Sequence, residues 1–160
     1  MLVPSKIILH CSATNDTDSL SWEAIRRYHV DRRGWKDIGY HYGIEYVDGG
    51  VHLLRGRPWF EKGAHCKAAG RNFDSLGVCT VGKFETPPPA DIYQATVRVL
   101  STLCYTFWVS PDDVYGHREF EKYKTCPGAG WDLDKLRADI RALWSDNMPH
   151  QASYRIGGLP

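Results

Sequence analysis

The chain has almost no net charge, no long hydrophobic run and no recognisable export signal. Its 20 basic and 19 acidic residues give a formal net charge of +1, which removes the electrostatic argument for nucleic acid or an anionic membrane as the main partner. The first apolar stretch, residues 7–13, is too short and becomes polar too quickly for a signal peptide, and no later stretch reaches membrane-spanning length. We therefore expect a protein without a signal peptide that is made in the cytoplasm, with neither nucleic acid nor membrane as its partner.

The sequence also lacks any CxxC motif, internal repeat or low-complexity linker. Its five cysteines are an odd set with no paired spacing, which argues against a disulfide framework and favours a reducing compartment. A length of 160 residues suits one domain that buries an ordinary core without disulfides. We predict a monomer with a single catalytic domain over residues 1–145 and a C-terminal tail over residues 146–160.

Short apolar runs alternate with amphipathic stretches along the chain. The turn Asp48-Gly49-Gly50 between two alternating runs predicts a hairpin, and Ser21 and Asp132 are suitable N-caps for helices. The predicted strands cover residues 6–10, 41–47, 51–54 and 76–82, and the predicted helices cover residues 22–33, 90–109 and 132–144. This order predicts an α/β fold with a central mixed β-sheet flanked by helices.

Three segments outside this scaffold carry residues suited to metal chemistry. His10 ends the first strand, His117 lies in GHREF and Cys126 lies in KTCPG, and these residue types bind zinc. Three protein ligands leave a fourth tetrahedral position for the water that hydrolysis requires. Cys11 competes with His10, but neighbours on a strand point to opposite faces. Because a single histidine or cysteine is more often structural, the spacing alone leaves both interpretations open.

The order of the motifs resembles a known family. From about residue 6 to residue 144 the chain carries IILHCSAT, GWKDIGYHYGIEYVDG, GAH, N-x-x-S-LGVC-x-VG, GH and K-x-C-PG. This order is similar to that of the zinc amidase family shared by phage lysozymes and peptidoglycan recognition proteins. The resemblance implies that family's amidase fold, one Zn²⁺ per chain and N-acetylmuramoyl-L-alanine amidase activity on peptidoglycan.

The resemblance also implies roles for individual residues. His10, His117 and Cys126 match the family's zinc ligands, while Tyr40 in GYH matches the catalytic tyrosine and Lys124 the catalytic lysine. Cytosolic recycling amidases of the wider family carry aspartate as the third ligand, so Cys126 favours the phage-lysozyme branch.

Two further residues match positions that line the substrate groove in this family. They are His65, in the GAH motif, and Asn72, in the loop that follows. The resemblance therefore predicts that His65 and Asn72 bind substrate.

Amide hydrolysis needs the residue types found at these positions. An amide is a poor electrophile with a poor leaving group, so the metal must lower the pKa of bound water and polarise the carbonyl. Lys124 can place a positive charge beside the developing oxyanion. Tyr40 can either orient the water or help transfer a proton to the leaving amine. Without the resemblance, core packing for Tyr40 and solvent exposure for Lys124 are the simpler interpretations.

Four other histidines are weaker candidates for the site. His29 lies within a predicted helix and His52 in a hairpin arm, where structural roles are expected. His41 directly follows Tyr40, so we expect it to face away from the groove. We expect His150 to be solvated in the tail.

These inferences favour a phage or prophage endolysin. It would hydrolyse the amide bond between the N-acetylmuramoyl lactyl group and L-alanine and so cause cell-wall lysis. A single-domain lysin suits the thin wall of a Gram-negative host, reached through a pore that another protein makes. Phage members of the family can also have a regulatory protein partner, such as an RNA polymerase, and no residue pattern here favours or excludes one.

Three alternatives compete with the endolysin. A cytosolic amidase that recycles muropeptides would act on small fragments, and a non-catalytic peptidoglycan-binding module would lose zinc ligands. A cysteine peptidase would place its nucleophile at a helix N-terminus. Cys11 at a strand end and Cys126 before Pro127 do not fit that requirement.

Overall fold

Five strands form one mixed sheet in the computed structural model, which describes residues 1–14 and 21–147. They are β1 (Lys6–Cys11), β2 (Tyr42–Val47), β3 (Gly50–Arg55), β4 (Ser75–Thr80) and β5 (Val114–Gly116). The order across the sheet is β3-β2-β4-β1-β5. β1 pairs in parallel with β4 and β5, and β2 pairs in parallel with β4 and antiparallel with β3. The predicted mixed sheet is confirmed.

The parallel strands place His10 and His117 at the same edge of the sheet. Strands that run in the same direction have their carboxyl ends on the same side. Leu9 of β1 lies opposite Gly116 of β5, so the residues that follow them, His10 and His117, lie at the same level along the sheet. The sequence pattern did not predict β5, because a strand of three residues is too short to show an alternation.

Helices cover both faces of the sheet. α2 (Ala90–Phe107) and α3 (Leu133–Asn147) pack on one face, against Val78 of β4 among others. On the other face, Trp22 packs with the next residue of β4, Cys79. Because both faces of β4 are covered, all six of its residues are buried, which explains its unbroken apolar run.

The first helix differs from its prediction. It is α-helical only over α1 (Trp22–Arg27) and continues as a wider π-helical turn over Tyr28–Arg32. Ser21 makes no side-chain cap. The buried carboxylate of Glu45 instead accepts a hydrogen bond from the Trp22 N–H, the first of the helix, at 3.0 Å. A carboxylate from β2 thus accepts one of the free N–H groups at the start of α1, and the predicted serine cap does not form.

The other element boundaries follow the predictions closely. The hairpin turns at Asp48 and Gly49, and Asp132 caps α3 by accepting from the Lys135 N–H at 2.9 Å. α3 runs to Asn147, past the predicted domain boundary at residue 145. The rest of the predicted tail, and His150 with it, lies outside the described residues.

Across residues 1–14 and 21–147, no helix combines the length and the apolar character needed to cross a bilayer.

The contact between α1 and β2 gives a test of the fold. A Cβ added at Gly43 would lie 2.5 Å from the ring of Trp22, which is 2% exposed. We expect Gly43→Ala to lower the free energy of unfolding by about 1–3 kcal/mol, the usual cost of overpacking a core. Urea denaturation measures this change.

Gly50→Ala is the matched control for that substitution. A Cβ at Gly50 meets nothing closer than 3.7 Å, so we expect a change within about 0.5 kcal/mol, as for an ordinary surface substitution. Similar losses in both variants would contradict the steric explanation.

Candidate metal centre and active site

His10 lies at the centre of the site. Its ring is 1% exposed, and its Nδ1 is 3.7 Å from the Sγ of Cys126. Its Nε2 is 3.0 Å from the Nδ1 of His65, and its ring centroid is 4.6 Å from that of His117. The structure therefore brings the three predicted metal ligands together and adds His65 directly behind His10.

The loop after β5 supplies the other two donors. The Arg118 N–H donates to the Cys126 carbonyl at 2.8 Å. The Arg118 guanidinium donates to the carbonyls of Gly128 at 2.6 Å and Trp131 at 2.7 Å. These bonds fold the loop back on itself, so Cys126 returns to the side of His117.

The donor set fits a zinc ion. The ligand atoms of His10, His117 and Cys126 all lie within 4.8 Å of one another. A tetrahedral zinc with a nitrogen and a sulfur ligand would separate those two atoms by about 3.6 Å, close to the 3.7 Å between His10 Nδ1 and Cys126 Sγ. Burial lowers the pKa of His10 and of His117, so both imidazoles stay neutral and able to bind a metal.

A second thiol adjoins the third donor. The Cys11 N–H points to the Sγ of Cys126 at 3.3 Å. The hydrogen bond between the two thiols, followed by burial, holds the pKa of Cys126 above its usual range. The same hydrogen bond lowers the pKa of Cys11 to about 7. A metal that takes the Cys126 thiolate must therefore displace a proton from this pair.

Tyr40 and Lys124, the two predicted catalytic residues, both lie beside the donor set. The ring centroid of Tyr40 is 5.1 Å from that of His10, and burial raises the pKa of its phenol. Tyr40 also lines a cavity of about 340 Å³ next to α1. The Lys124 side chain is 42% exposed, with its Nζ 3.7 Å from the Oε2 of Glu121.

His65 and Asn72 belong to one structural unit. The Asn72 Oδ1 accepts from the backbone N–H groups of His65 and Cys66, both at 2.8 Å. His65 is 8% exposed, and burial followed by the charge of His41 lowers its pKa to about 3. Both side chains therefore shape the loop behind His10.

The remaining histidines that the structure describes have structural surroundings. The His41 Nδ1 accepts from the Gly77 N–H at 2.9 Å, and its Nε2 donates to the Glu61 carbonyl at 2.9 Å. His29 accepts from the Gly39 N–H at 3.2 Å, and burial lowers its pKa to about 4. His52 is exposed on β3.

Sequence reasoning missed Glu121 and Cys66. The Oε1 of Glu121 lies 3.4 Å from the Nε2 of His117, and its side chain is only 14% exposed. The spacing of four residues from His117 was a local signal for this contact. No local sequence pattern indicates Cys66, because only the fold brings it next to the loop that carries His117 and Glu121.

Solved structures identify the class to which this fold belongs. The amidase LysC from Clostridium intestinale URNW is 25% identical with a TM-score of 0.73, and the match covers 88% of this chain and 87% of that one. Drosophila PGRP-LB is 26% identical with a TM-score of 0.64, covering 94% and 84%. The fold is that of amidases and peptidoglycan recognition proteins.

The family follows from the sequence match. Residues 2–129 match the family model described as N-acetylmuramoyl-L-alanine amidase, and the chain belongs to that family. The endolysin of Escherichia phage T7 is 42% identical over 145 residues, 88% of this chain and 85% of that protein. The endolysin of Klebsiella phage KP32 is 39% identical over 101 residues, 62% of this chain and 63% of that protein. The chain is thus a homologue of phage endolysins.

The role of Asn72 gives a test of the site's support. Asn72→Ala would leave two backbone N–H groups without their acceptor, and each such loss costs about 1–3 kcal/mol when the group is buried. We expect a clear fall in the urea midpoint at fixed zinc concentration, since bound metal also shifts stability.

Asn72→Asp is the matched variant for this test. Aspartate keeps an oxygen where Asn72 presents its Oδ1, so we expect this variant to keep most of the stability that Asn72→Ala loses. If aspartate and alanine destabilise the protein equally, the Oδ1 acceptor is not what holds this loop.

Proposed function

We propose that this protein is a zinc-dependent phage or prophage endolysin. It would hydrolyse the amide bond between the N-acetylmuramoyl lactyl group and L-alanine of peptidoglycan. The observation that carries the proposal is the convergence of His10, His117 and Cys126, with Lys124 beside them, in a chain homologous to phage endolysins.

His10, His117 and Cys126 would hold one zinc ion. When bound, zinc lowers the pKa of water and polarises the amide carbonyl. With its Nδ1 turned to Cys126, His10 would donate its Nε2–H to His65 at 3.0 Å, which fixes both its tautomer and its ring orientation. The predicted contact of His65 and Asn72 with substrate stays a prediction, and their bonds favour an indirect role through the loop behind His10.

Lys124 would stabilise the oxyanion that forms when the amide carbonyl is attacked. Its ammonium group lies close enough to His10 and His117 to contribute to lowering both pKa values. The Glu121 carboxylate, 3.7 Å from the Lys124 Nζ, keeps this charge on the side of the donor set. A positive group held there costs little reorganisation as negative charge develops.

Tyr40 would act as a neutral hydrogen-bond donor. Burial raises the pKa of its phenol, so the hydroxyl keeps its proton at neutral pH. It lines the cavity next to α1, from which a substrate group could approach. This position suits both orientation of water and proton transfer to the leaving amine.

Two other functions are the natural competitors. A muropeptide-recycling amidase would cleave soluble fragments but leave intact sacculi undigested. A non-catalytic peptidoglycan-binding module would have no need for an intact donor set beside Lys124 and Tyr40.

The endolysin homologues favour release of the enzyme from the cytoplasm to the cell wall through another protein's pore.

Digestion of intact sacculi tests the reaction. We expect the zinc-loaded protein to release peptides that begin with a free L-alanine amine, without new reducing sugar ends. Removal of zinc with a chelator should stop the reaction, and added zinc should restore it. New reducing ends, or full activity in protein shown to be free of metal, would refute the proposal.

Cys126→Ser tests the metal ligand in the same assay. We expect it to lose bound zinc and activity together, because a serine hydroxyl is a poor substitute for a thiolate ligand. Cys104→Ser is the control, since Cys104 is buried on α2 within the core cluster, and we expect it to keep its zinc.

Lys124→Ala separates charge stabilisation from metal binding. We expect zinc content to stay unchanged while the rate falls about 10²- to 10³-fold, the usual effect of removing one oxyanion-stabilising group. The control is Lys122→Ala, which removes an exposed lysine from the same loop. A Lys124→Ala enzyme as active as the Lys122→Ala control would rule out the oxyanion role.

A further inference from the structure

A second group of possible metal ligands adjoins the first. The ligand atoms of Cys66, His117 and Glu121 lie within 4.8 Å of one another. Cys66 is 1% exposed and the Glu121 side chain 14%, so these two donors are largely withdrawn from water. The group shares His117 with the donor set of the catalytic site.

The spacing within this second group suits a tetrahedral ion. The Nε2 of His117 and the Oε1 of Glu121 are 3.4 Å apart. Two ligands at zinc–nitrogen and zinc–oxygen bond lengths would be separated by about 3.4 Å around a tetrahedral centre. The existing distance therefore already matches two ligands of one ion.

The loop that carries Cys66 is held in place. The backbone N–H of Cys66 donates to Asn72 at 2.8 Å, and the Cys66 Sγ lies 4.0 Å from the Ala68 carbonyl.

A thiolate, an imidazole and a carboxylate together favour Zn²⁺ or the softer Cd²⁺ over Mg²⁺ or Ca²⁺.

We propose that Cys66, His117 and Glu121 form a second, inhibitory site for a thiophilic divalent metal ion. The inference rests on the proposed function, because it takes His117 to be a ligand of the catalytic zinc. An ion at the second site would pull on His117, which it shares with the catalytic zinc, while His10 and Cys126 still hold that zinc. It would also occupy the Glu121 carboxylate that pairs with Lys124. Excess metal therefore disturbs both the catalytic donor set and the catalytic cation.

Cadmium titration of the zinc-loaded protein tests the second site. We expect one further equivalent of Cd²⁺ to bind, with growth of the ultraviolet thiolate-to-cadmium charge-transfer absorption and no loss of zinc. Amidase activity should fall about 10- to 100-fold as that equivalent binds, the range typical when the surroundings of a metal ligand are disturbed.

Two variants and a control locate the ion. We expect Cys66→Ala to lose the second equivalent, the absorption and the inhibition, while it keeps the first zinc. Glu121→Gln should also lose the second equivalent, as measured by metal content alone. Cys104→Ala, which removes a buried thiol from α2, should titrate like the parent protein.

The failures of the two proposals can be told apart. A protein that keeps one zinc but takes up no second ion, or a second ion that persists in Cys66→Ala, would overturn the second site and leave the amidase proposal standing. Binding without inhibition would overturn the inhibitory role. A first equivalent of zinc that survives loss of both His10 and Cys126 would instead overturn the catalytic metal site.

Discussion

The parallel pairing of β1 with β4 and β5 is the constraint on which the rest of the site depends. Leu9 lies opposite Gly116, so the residues that follow, His10 and His117, emerge side by side with ring centroids 4.6 Å apart. The backbone bond from Arg118 to Cys126 then returns the third donor to the same edge. Residues far apart in the chain become neighbours through the register of the sheet and one folded loop.

A layer of side chains behind His10 keeps that edge in place. His65 contacts His10 and lies over Gly77 of β4, where an added Cβ would be 2.5 Å from the His65 ring. Glycine at this position makes room for the histidine that contacts His10. His41 in turn accepts a hydrogen bond from the Gly77 N–H. Hydrogen bonds to the sheet backbone therefore also hold the histidines next to the site.

Glu121 lies between His117 and Lys124 and contacts both of them. Its two carboxylate oxygens face His117 at 3.4 Å and Lys124 at 3.7 Å. A group that contacts both a proposed metal ligand and the proposed oxyanion-stabilising lysine couples their positions, because movement toward one weakens the contact with the other. Through this dual contact, an ion at the proposed second site would affect the proposed reaction although Cys66 takes no part in it.

The sequence by itself determined the elements with clear periodicity and the residue types of the chemistry. The buried strand at β4, the hairpin around Asp48 and the cap at Asp132 were predicted because each depends on neighbours in the chain. The motif order supplied His10, His117 and Cys126 as candidate ligands. Spacing alone left their convergence open, since it says nothing of distances between distant segments.

Only the tertiary structure decided the contacts made across the fold. Glu45 accepts the first N–H of α1 while Ser21 makes no side-chain cap, since β2 brings a buried carboxylate that no local pattern indicates. Asn72 bonds to a loop backbone, and Cys66 joins Glu121 beside His117. The sequence fixes which donors and acceptors exist, but their partners depend on strand register and loop closure, which the whole fold sets.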